Sequence, residues 1–185
     1  MRRAFDLIFA LVISPIILVL ILLCSIAIAV CEGRPIFYSS KRVGKNQHVF
    51  TIIKLRTMSS CAPLIPSNDE TASLYVTKLG QFLRFSSLDE LPQIFNILNG
   101  SMTFIGPRPC LASEVRLIEH RKRKNIFSMT PGLTGLAQVR GRDKNSMRNK
   151  VRYELFYLKK KSLLFNMYII LITLRSVWKF SDVNH

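Results

Sequence analysis

The stretch SSLDELPQIFNILNGSMTFIGPRP, residues 86–109, contains the pattern around which the rest of the chain is organised. It begins with two adjacent carboxylates, Asp89 and Glu90, and it ends with Arg108 between two prolines. Acidic residues are scarce, since the chain has 11 Asp plus Glu against 27 Lys plus Arg. An acid pair at the start of an apolar run is therefore the first candidate for chemistry.

The amino-acid composition limits the classes of protein to which this chain can belong. A chain of 185 residues is one domain, or one domain plus a membrane segment. Its net charge of +16 favours anionic partners such as nucleic acid, phosphorylated small molecules or anionic lipid. A hydrophobic fraction of 49% argues against disorder and is high for so basic a nucleic-acid-binding module. The four cysteines form no C-x-x-C pair and the three histidines are isolated, so neither a zinc site nor a disulfide framework is indicated.

The N-terminal segment is long enough to cross a bilayer, because residues 7–31 contain no charge. One interpretation is a signal peptide or a lipoprotein anchored at Cys31, but the run exceeds the roughly 7–15 apolar residues of a signal peptide. A second interpretation is a transmembrane helix. A third is a re-entrant helix that dips into the membrane and returns.

Two features favour the re-entrant helix over a straight span. Pro15 removes a backbone donor and kinks a helix, and Ser14 can hydrogen-bond to the carbonyl that is freed. Basic residues flank both ends of the run, so both ends satisfy the positive-inside rule for the cytoplasmic side. A kinked full span remains an alternative at this point.

A small β-hairpin is predicted after the membrane segment, with a β-prone run at residues 35–39, a turn at 43–46 and a strand over 49–58. Lys54 and Arg56 lie two positions apart on that strand. Two cations about 6–7 Å apart on one face could hold a diphosphate. A solvated basic edge strand explains the pattern equally well.

A short helix is predicted over residues 78–85, followed by a second that begins at Ser87 and ends at Gly100. The sequence S-x-x-E at its start matches a capping box, which gives Glu90 a purely structural explanation. Asp89 has no such role. Near Arg84 and a helix N-terminus, Asp89 would be kept ionised by its surroundings and would lie where phosphate is attracted.

Arginines held by rigid or glycine-rich backbone are candidates for phosphate binding. Arg108 follows a predicted strand at residues 102–106, and its two flanking prolines leave little conformational freedom to lose. Arg142 follows the glycine-rich residues 131–141, which fit a nucleotide or phosphate wall.

The remaining helices fit a membrane surface. Residues 111–127 are predicted to form a helix whose basic end is solvated near anionic headgroups, and without interleaved aromatic residues no nucleic-acid partner is expected. A basic helix is predicted over residues 148–161. The apolar residues 163–180 are too short for a confident span and favour an amphipathic helix in the interface.

Five ordered motifs resemble those of the small monotopic phosphoglycosyl transferases, the bacterial sugar transferase family. The resemblance covers nearly the whole chain, and its markers are Ser14-Pro15, KLRTM at 54–58, SLDELPQ at 87–93, GPRP at 106–109 and PGLTGLAQV at 131–139. It implies transfer of a sugar-1-phosphate from a UDP-sugar to a polyprenyl phosphate, usually undecaprenyl phosphate, with Mg²⁺ and a covalent intermediate.

The resemblance also implies roles for particular residues. Asp89 would attack the β-phosphate of the donor, release UMP and bind Mg²⁺, and Glu90 would assist by proton handling or positioning. Three cations match family positions that hold phosphate: Lys54, Arg84 and Arg108.

The implied fold is mixed α/β and mostly helical, with a small β-hairpin and interfacial amphipathic helices. Residues 1–33 would form the re-entrant membrane helix, and residues 34–185 a catalytic domain on the cytoplasmic face of the bacterial inner membrane; a homo-oligomer is possible. Asn166, where the family often has Asp, and Asp143, where Asn is commoner, depart from the family pattern and leave donor choice open. The alternative from another class is a non-catalytic basic membrane module that binds anionic lipid or nucleic acid.

Overall fold

The computed structural model describes residues 2–62, 70–141 and 146–178. Helices dominate these residues, together with two small two-stranded sheets, as the sequence predicts. The strands are β1 (Phe37–Val43), β2 (Val49–Leu55), β3 (Thr103–Ile105) and β4 (Gly132–Thr134). The α-helices are α1 (Arg2–Glu32), α2 (Lys78–Phe85), α3 (Ile94–Leu98), α4 (Val115–Arg123), α5 (Leu136–Val139), α6 (Met147–Lys160) and α7 (Leu163–Trp178). Short 3₁₀ helices cover Lys45–Gln47, Glu70–Tyr75, Leu88–Gln93 and Ile126–Ser128.

Helix α1 contains Pro15 within its length. Because Pro15 has no N–H, the carbonyl of Leu11 lacks its usual helical donor. The Ser14 hydroxyl donates to that carbonyl over 2.9 Å, which confirms the predicted hydrogen bond. The helix ends before Gly33, whose φ of +71° is a conformation that favours glycine after a helix.

The N-terminal turn of α1 is tied to the centre of the molecule. The Arg3 guanidinium donates to the carbonyls of Ile97 and Leu98, which lie at the C-terminal end of α3, where a cation is favourable. Asp6 is buried, and its carboxylate accepts a hydrogen bond of 2.6 Å from the Thr103 hydroxyl on β3. The start of this apolar helix is therefore fixed by polar contacts.

One face of α1 packs on the body and the other does not. The residues in the hydrophobic core recur at helical spacing: Ala10, Ile13, Ile17, Ile21, Cys24 and Ile28. The opposite face exposes large apolar side chains, among them Ile8, Leu11, Val12, Ile16, Val19, Leu22, Leu23, Ile26 and Val30. By length and composition this helix is able to cross a membrane.

Strands β1 and β2 form the predicted antiparallel hairpin, with Phe37 opposite Leu55 and Val43 opposite Val49. The end of β1 also reaches the loop after β3, because the Val43 amide donates to the carbonyl of Cys110 over 2.9 Å. The hairpin is thereby joined to the segment that contains Arg108.

The segment predicted as a glycine-rich loop instead contains β4, which pairs in parallel with β3. The Gly106 amide donates to the Thr134 carbonyl over 2.9 Å. A Cβ atom at Gly106 would overlap the carbonyl of Thr130, so this close approach requires glycine. The glycines here serve backbone packing between the two strands.

The basic end of α4 is not entirely solvated, in contrast to the prediction. Arg121 is buried and pairs with Glu154 of α6 through hydrogen bonds of 2.9 and 2.5 Å. Its remaining guanidinium nitrogen donates to the backbone carbonyl of Arg108 over 2.9 Å. One buried ion pair thus joins α4 and α6 and supports the Arg108 loop.

Helix α7 packs on β4 and α6 through polar contacts. The hydroxyls of Thr134 and Thr173 are 2.8 Å apart, and the Tyr157 hydroxyl donates to the side-chain oxygen of Asn166 over 2.8 Å. The Asn166 that departs from the family pattern therefore accepts a hydrogen bond here. Large side chains remain exposed along α7, including Leu163, Leu164, Met167, Leu171 and Leu174.

We expect Glu154→Gln to destabilise the fold by roughly 3–5 kcal/mol, because Arg121 would be left buried without its counter-charge. Denaturant titration in detergent measures this free energy of unfolding. Glu119→Gln, at an exposed carboxylate of α4, is the matched control and should change little. Equal stability of the two variants would contradict the structural importance of the pair.

Candidate active site

The acid pair lies in the 3₁₀ helix Leu88–Gln93, directly before α3. The capping-box prediction is wrong, because Ser87 has a left-handed backbone (φ +58°) and its side chain caps no amide. A capping residue needs an extended backbone for its side chain to reach the following amides. The Glu90 amide donates instead to the Ser87 carbonyl over 3.2 Å, and the Glu90 carboxylate points to other partners.

Those partners are cations from distant parts of the chain. The Lys54 ammonium on β2 donates to Glu90 Oε1 over 2.6 Å and lies 3.5 Å from Asp89 Oδ2. The Arg108 guanidinium lies 3.7 Å from the same Glu90 oxygen, and its side chain is 47% exposed. The structure therefore brings together Asp89, Glu90, Lys54 and Arg108, and it leaves Arg108 accessible to a ligand.

Arg84 reaches the same site from α2. Its Nε donates to the Thr57 hydroxyl over 2.9 Å, and burial lowers the pKa of Arg84 while the Asp89 charge opposes that change. Helix α2 approaches closely because Gly80 lies against the Thr57 backbone, where a Cβ would overlap the carbonyl. Thr57 is a site residue that sequence reasoning missed, although it lies within the KLRTM motif.

Asp89 is buried, in contrast to Arg108. Burial raises the pKa of Asp89 above its ordinary value, and the adjacent Glu90 charge adds to this, whereas Lys54 and Arg84 oppose it. Asp89 therefore keeps its proton to a higher pH than an ordinary aspartate does, although Lys54 and Arg84 favour its ionised form. The physical reason is that lost hydration outweighs the attraction of the neighbouring cations.

Arg56 does not join this cluster. Its guanidinium is buried and donates to the carbonyls of Glu32 and Gly33, over 2.8 and 2.9 Å, at the C-terminal end of α1. The predicted pairing of Lys54 with Arg56 on one phosphate-binding face is thus not found, because Lys54 is directed to the acid pair. The other predicted phosphate ligand, Arg142, lies outside the described residues.

The acid pair has the donors that Mg²⁺ uses in proteins. This ion is commonly held by one or two carboxylates, with substrate phosphates and water completing its coordination. No group of three or more His, Cys, Asp or Glu side chains suited to a metal occurs among the described residues. Two adjacent carboxylates, one of them destabilised by burial, therefore fit a magnesium ion that arrives with a phosphorylated substrate.

We expect Asp89→Asn to raise the melting temperature at neutral pH. The raised pKa of Asp89 means that ionisation costs folding free energy, so stability is lost as pH rises above the ordinary carboxyl range. The neutral amide avoids this loss. The difference in melting temperature should therefore be small near about pH 4 and larger at neutral pH.

Thermal unfolding in detergent across this pH range measures the effect. Glu119→Gln removes an exposed carboxylate and should show no such pH-dependent gain. A melting temperature of Asp89→Asn below that of the parent protein at neutral pH would show that the cations dominate over burial.

Comparison with known proteins identifies related chains. A family model described as bacterial sugar transferase matches residues 1–180. The uncharacterized sugar transferase EpsL of Bacillus subtilis is 33% identical over 181 residues, which cover 96% of this chain and 87% of that protein.

Two further relatives are named for a specific reaction, as UDP-glucose:undecaprenyl-phosphate glucose-1-phosphate transferases. The protein from Caulobacter vibrioides is 33% identical and is matched over 95% of this chain and 69% of its own length. The protein from Xanthomonas campestris pv. campestris is 34% identical and is matched over 83% of this chain and 34% of its own length. The similarity thus includes the segments that contain the acid pair and its cations.

Proposed function

The chain belongs to the bacterial sugar transferase family and is a phosphoglycosyl transferase, and we propose that it transfers a sugar-1-phosphate from a UDP-sugar to a polyprenyl phosphate. The product would initiate assembly of a glycoconjugate. The observation that supports this proposal is a buried carboxylate, Asp89, beside Glu90 and among cations from separate segments. The names of the Caulobacter and Xanthomonas relatives agree with this donor and acceptor class.

The proposed reaction has two steps at one phosphorus atom. An Asp89 carboxylate oxygen attacks the β-phosphorus, the bond to the bridging oxygen breaks, and UMP leaves with the bonding electrons. A phosphate oxygen of the lipid then attacks the same phosphorus, and the bond to Asp89 breaks. The carboxylate is regenerated, as in other nucleophilic catalysis by carboxylates.

The neighbouring side chains have separable roles in this scheme. Lys54, Arg84 and Arg108 offset the negative charge of the diphosphate, and Lys54 and Arg84 also favour the ionised form of Asp89. Glu90, hydrogen-bonded to Lys54, positions that cation and is placed to handle a proton of a bound ligand. Mg²⁺, when bound, would screen the charge of the diphosphate, and Asp89 with Glu90 would hold it.

We further propose that the protein attaches to one face of the membrane, with residues 1–33 as a re-entrant helix and residues 34–185 as the catalytic domain. Both ends of α1 contact the same body, through Arg3 at the start and through Arg56 at the end. A straight span would carry one end about 30 Å away from a domain on one side. With basic residues at both flanks, this supports attachment at the cytoplasmic face of the inner membrane.

The reaction predicts that Asp89→Asn abolishes UMP release from a UDP-sugar in the presence of Mg²⁺ and polyprenyl phosphate. Covalent labelling by a donor with a radioactive sugar should also disappear. Glu90→Gln should slow turnover greatly, because it removes the carboxylate that pairs with Lys54, and no capping energy is lost, because Glu90 caps no helix. UMP release is measured with a coupled assay on folded protein, and a panel of UDP-sugars identifies the donor.

Glu119→Gln is the control for loss of one carboxylate and should keep the parent rate. Normal turnover by folded Asp89→Asn would contradict the proposal that Asp89 is the nucleophile. The alternative of a non-catalytic basic module predicts that even the parent protein releases no UMP from any donor.

The membrane arrangement predicts that both ends of α1 are inaccessible from outside the cell. Two single-cysteine proteins test this, one that keeps only Cys61 and one that has only Ala4→Cys, both at exposed positions. A membrane-impermeant maleimide should label neither in intact cells and both after permeabilisation. Labelling of one of the two in intact cells would indicate a full span, and labelling of Cys61 would also fit a secreted lipoprotein.

A further inference from the structure

Thr57 is the residue of the candidate site to which the proposed reaction gives no role. It is buried, and its hydroxyl accepts the hydrogen bond of 2.9 Å from Nε of Arg84. Because a guanidinium group can only donate, the hydroxyl must be the acceptor in this contact. The bond uses the N–H of Nε and leaves the N–H groups of the two terminal nitrogens to other partners. Thr57 therefore restrains the guanidinium without occupying its terminal nitrogens.

The backbone packing of α2 holds Arg84 over Thr57. Gly80 lies against the Thr57 carbonyl, where a Cβ atom would overlap the oxygen. Arg84 follows Gly80 by four residues, so the two lie on the same face of α2. The Thr57 carbonyl also accepts a hydrogen bond of 3.2 Å from the amide of Thr77, whose side chain caps the start of α2. The backbone of Thr57 thus sets the position of the helix, and its side chain is left to orient Arg84.

The contact of Thr57 with Arg84 is the second of two that join the end of β2 to the segment of the acid pair. At the first, the Lys54 ammonium donates to Glu90 over 2.6 Å. Thr57 follows Lys54 by three residues. Two successive turns connect the partners on the other segment, because the Ser87 amide donates to the Arg84 carbonyl and the Glu90 amide donates to the Ser87 carbonyl, each over 3.2 Å. Arg84 is therefore tied to the acid pair by the backbone and held from the other side by Thr57.

The hydroxyl of Thr57 restrains Arg84 without neutralising its charge. The buried Arg121, by comparison, is paired with the Glu154 carboxylate over 2.9 Å. Arg84 is half-buried, and among the described residues it has a hydrogen bond to a neutral hydroxyl and no ion pair within 4.0 Å. A partly desolvated cation without a counter-ion is stabilised when an anion binds beside it. The diphosphate of the proposed donor would be that anion.

We propose that Thr57 is a positioning residue, which holds Arg84 through Nε so that the two terminal nitrogens are directed to the diphosphate of the UDP-sugar. This inference rests on the proposed function and deepens it, because it assigns the group that orients one of the phosphate ligands. A guanidinium group donates two parallel hydrogen bonds to a phosphate only when its plane is aligned with the phosphate oxygens. Thr57 acts through Arg84 and does not itself contact the substrate.

The test is a double-mutant cycle of Thr57→Val and Arg84→Met, alone and combined, in vesicles of phosphatidylethanolamine and phosphatidylglycerol. Valine keeps the β-branched shape of threonine and loses the hydroxyl, and methionine loses the guanidinium without offering a new donor. Rapid-quench measurement of the UMP formed without acceptor gives the rate of the first step. Calorimetric titration with UDP and Mg²⁺ gives the affinity for the diphosphate.

Thr57→Val should slow the first step by roughly tenfold to a hundredfold at subsaturating donor, since a displacement of about 1 Å in a positioned group can cost about a hundredfold in rate. If Thr57 acts only through Arg84, Thr57→Val has no further effect on rate or affinity once Arg84→Met is present. A merely structural role of Thr57 would not produce this coupling.

Two further variants complete the test. Thr57→Ser restores the hydrogen-bond acceptor and should recover most of the rate that Thr57→Val loses. Thr51→Val removes the hydroxyl of an exposed threonine on β2 and is the matched control. It should stay within about twofold of the parent rate, because substitutions at the surface change little.

Three results would overturn the inference. The first is a parent rate in Thr57→Val. The second is an equal loss from Thr57→Val with and without Arg84, which would show that Thr57 acts independently of Arg84. The third is an equal loss in Thr57→Val and Thr57→Ser together with a lower melting temperature, which would show a structural role. Each of these leaves the proposed function intact, because the parent protein still releases UMP.

If the parent protein releases no UMP from any donor, the proposed function fails, and the affinity for UDP then tests the inference separately. Thr57→Val and Arg84→Met should each weaken UDP binding by roughly tenfold, and the combined variant should bind no more weakly than Arg84→Met alone. Equal affinity of Thr57→Val and the parent overturns the inference, as does a parent protein that binds no UDP.

Discussion

The interaction on which the site depends is the contact of Lys54 with the acid pair. Two adjacent carboxylates in a partly buried position repel each other and lose hydration, and each effect opposes ionisation. Lys54 offsets part of both effects, since its ammonium lies 2.6 Å from Glu90 and 3.5 Å from Asp89. Because Lys54 lies on β2 and the acids lie after α2, this contact forms only when the hairpin packs on the 3₁₀ helix. The charge balance of the site therefore depends on the correct tertiary fold.

The neighbouring cations offset only part of the cost of ionising the buried Asp89, and this is consistent with a site that binds a ligand. The pKa of Asp89 stays raised although Lys54 and Arg84 are close, so the carboxylate is less stable than in water. In the proposed reaction, the nucleophilic form of Asp89 would become more favourable when a divalent cation binds together with the diphosphate. Under the proposed mechanism, stability and activity set opposite demands at Asp89, a common consequence of burying a charge that is needed for catalysis.

Local patterns in the sequence predict the helices and strands, but they do not predict which of these elements pack against one another. The hairpin and the helix Lys78–Phe85 follow from alternation and helical spacing, and both are confirmed. The parallel pairing of β3 with β4 was not predicted, because a three-residue strand is set by a partner distant in the chain. Arg56 and Arg121 are both buried against specific partners. The sequence alone does not show which basic residues are exposed to solvent and which pair with a buried partner. The capping-box prediction is wrong at Ser87, because its left-handed backbone, in the turn after α2, has no local sequence signal.

The segments that form the site also hold the long apolar helix α1 in place. Arg3 binds the end of α3, the helix that directly follows the acid pair, and Arg56 binds the end of α1 only two residues after Lys54. Each end of α1 is thus held by a segment that also provides the site with a charged group. A helix with most of its apolar face exposed cannot be positioned by a hydrophobic core alone, so these polar contacts determine where it lies. Because the acceptor of the proposed reaction is a lipid, the contacts also set the distance between the membrane and Asp89. The position of α1 and the assembly of the site consequently depend on the same polar contacts, which Arg3 and Arg56 make at the two ends of α1.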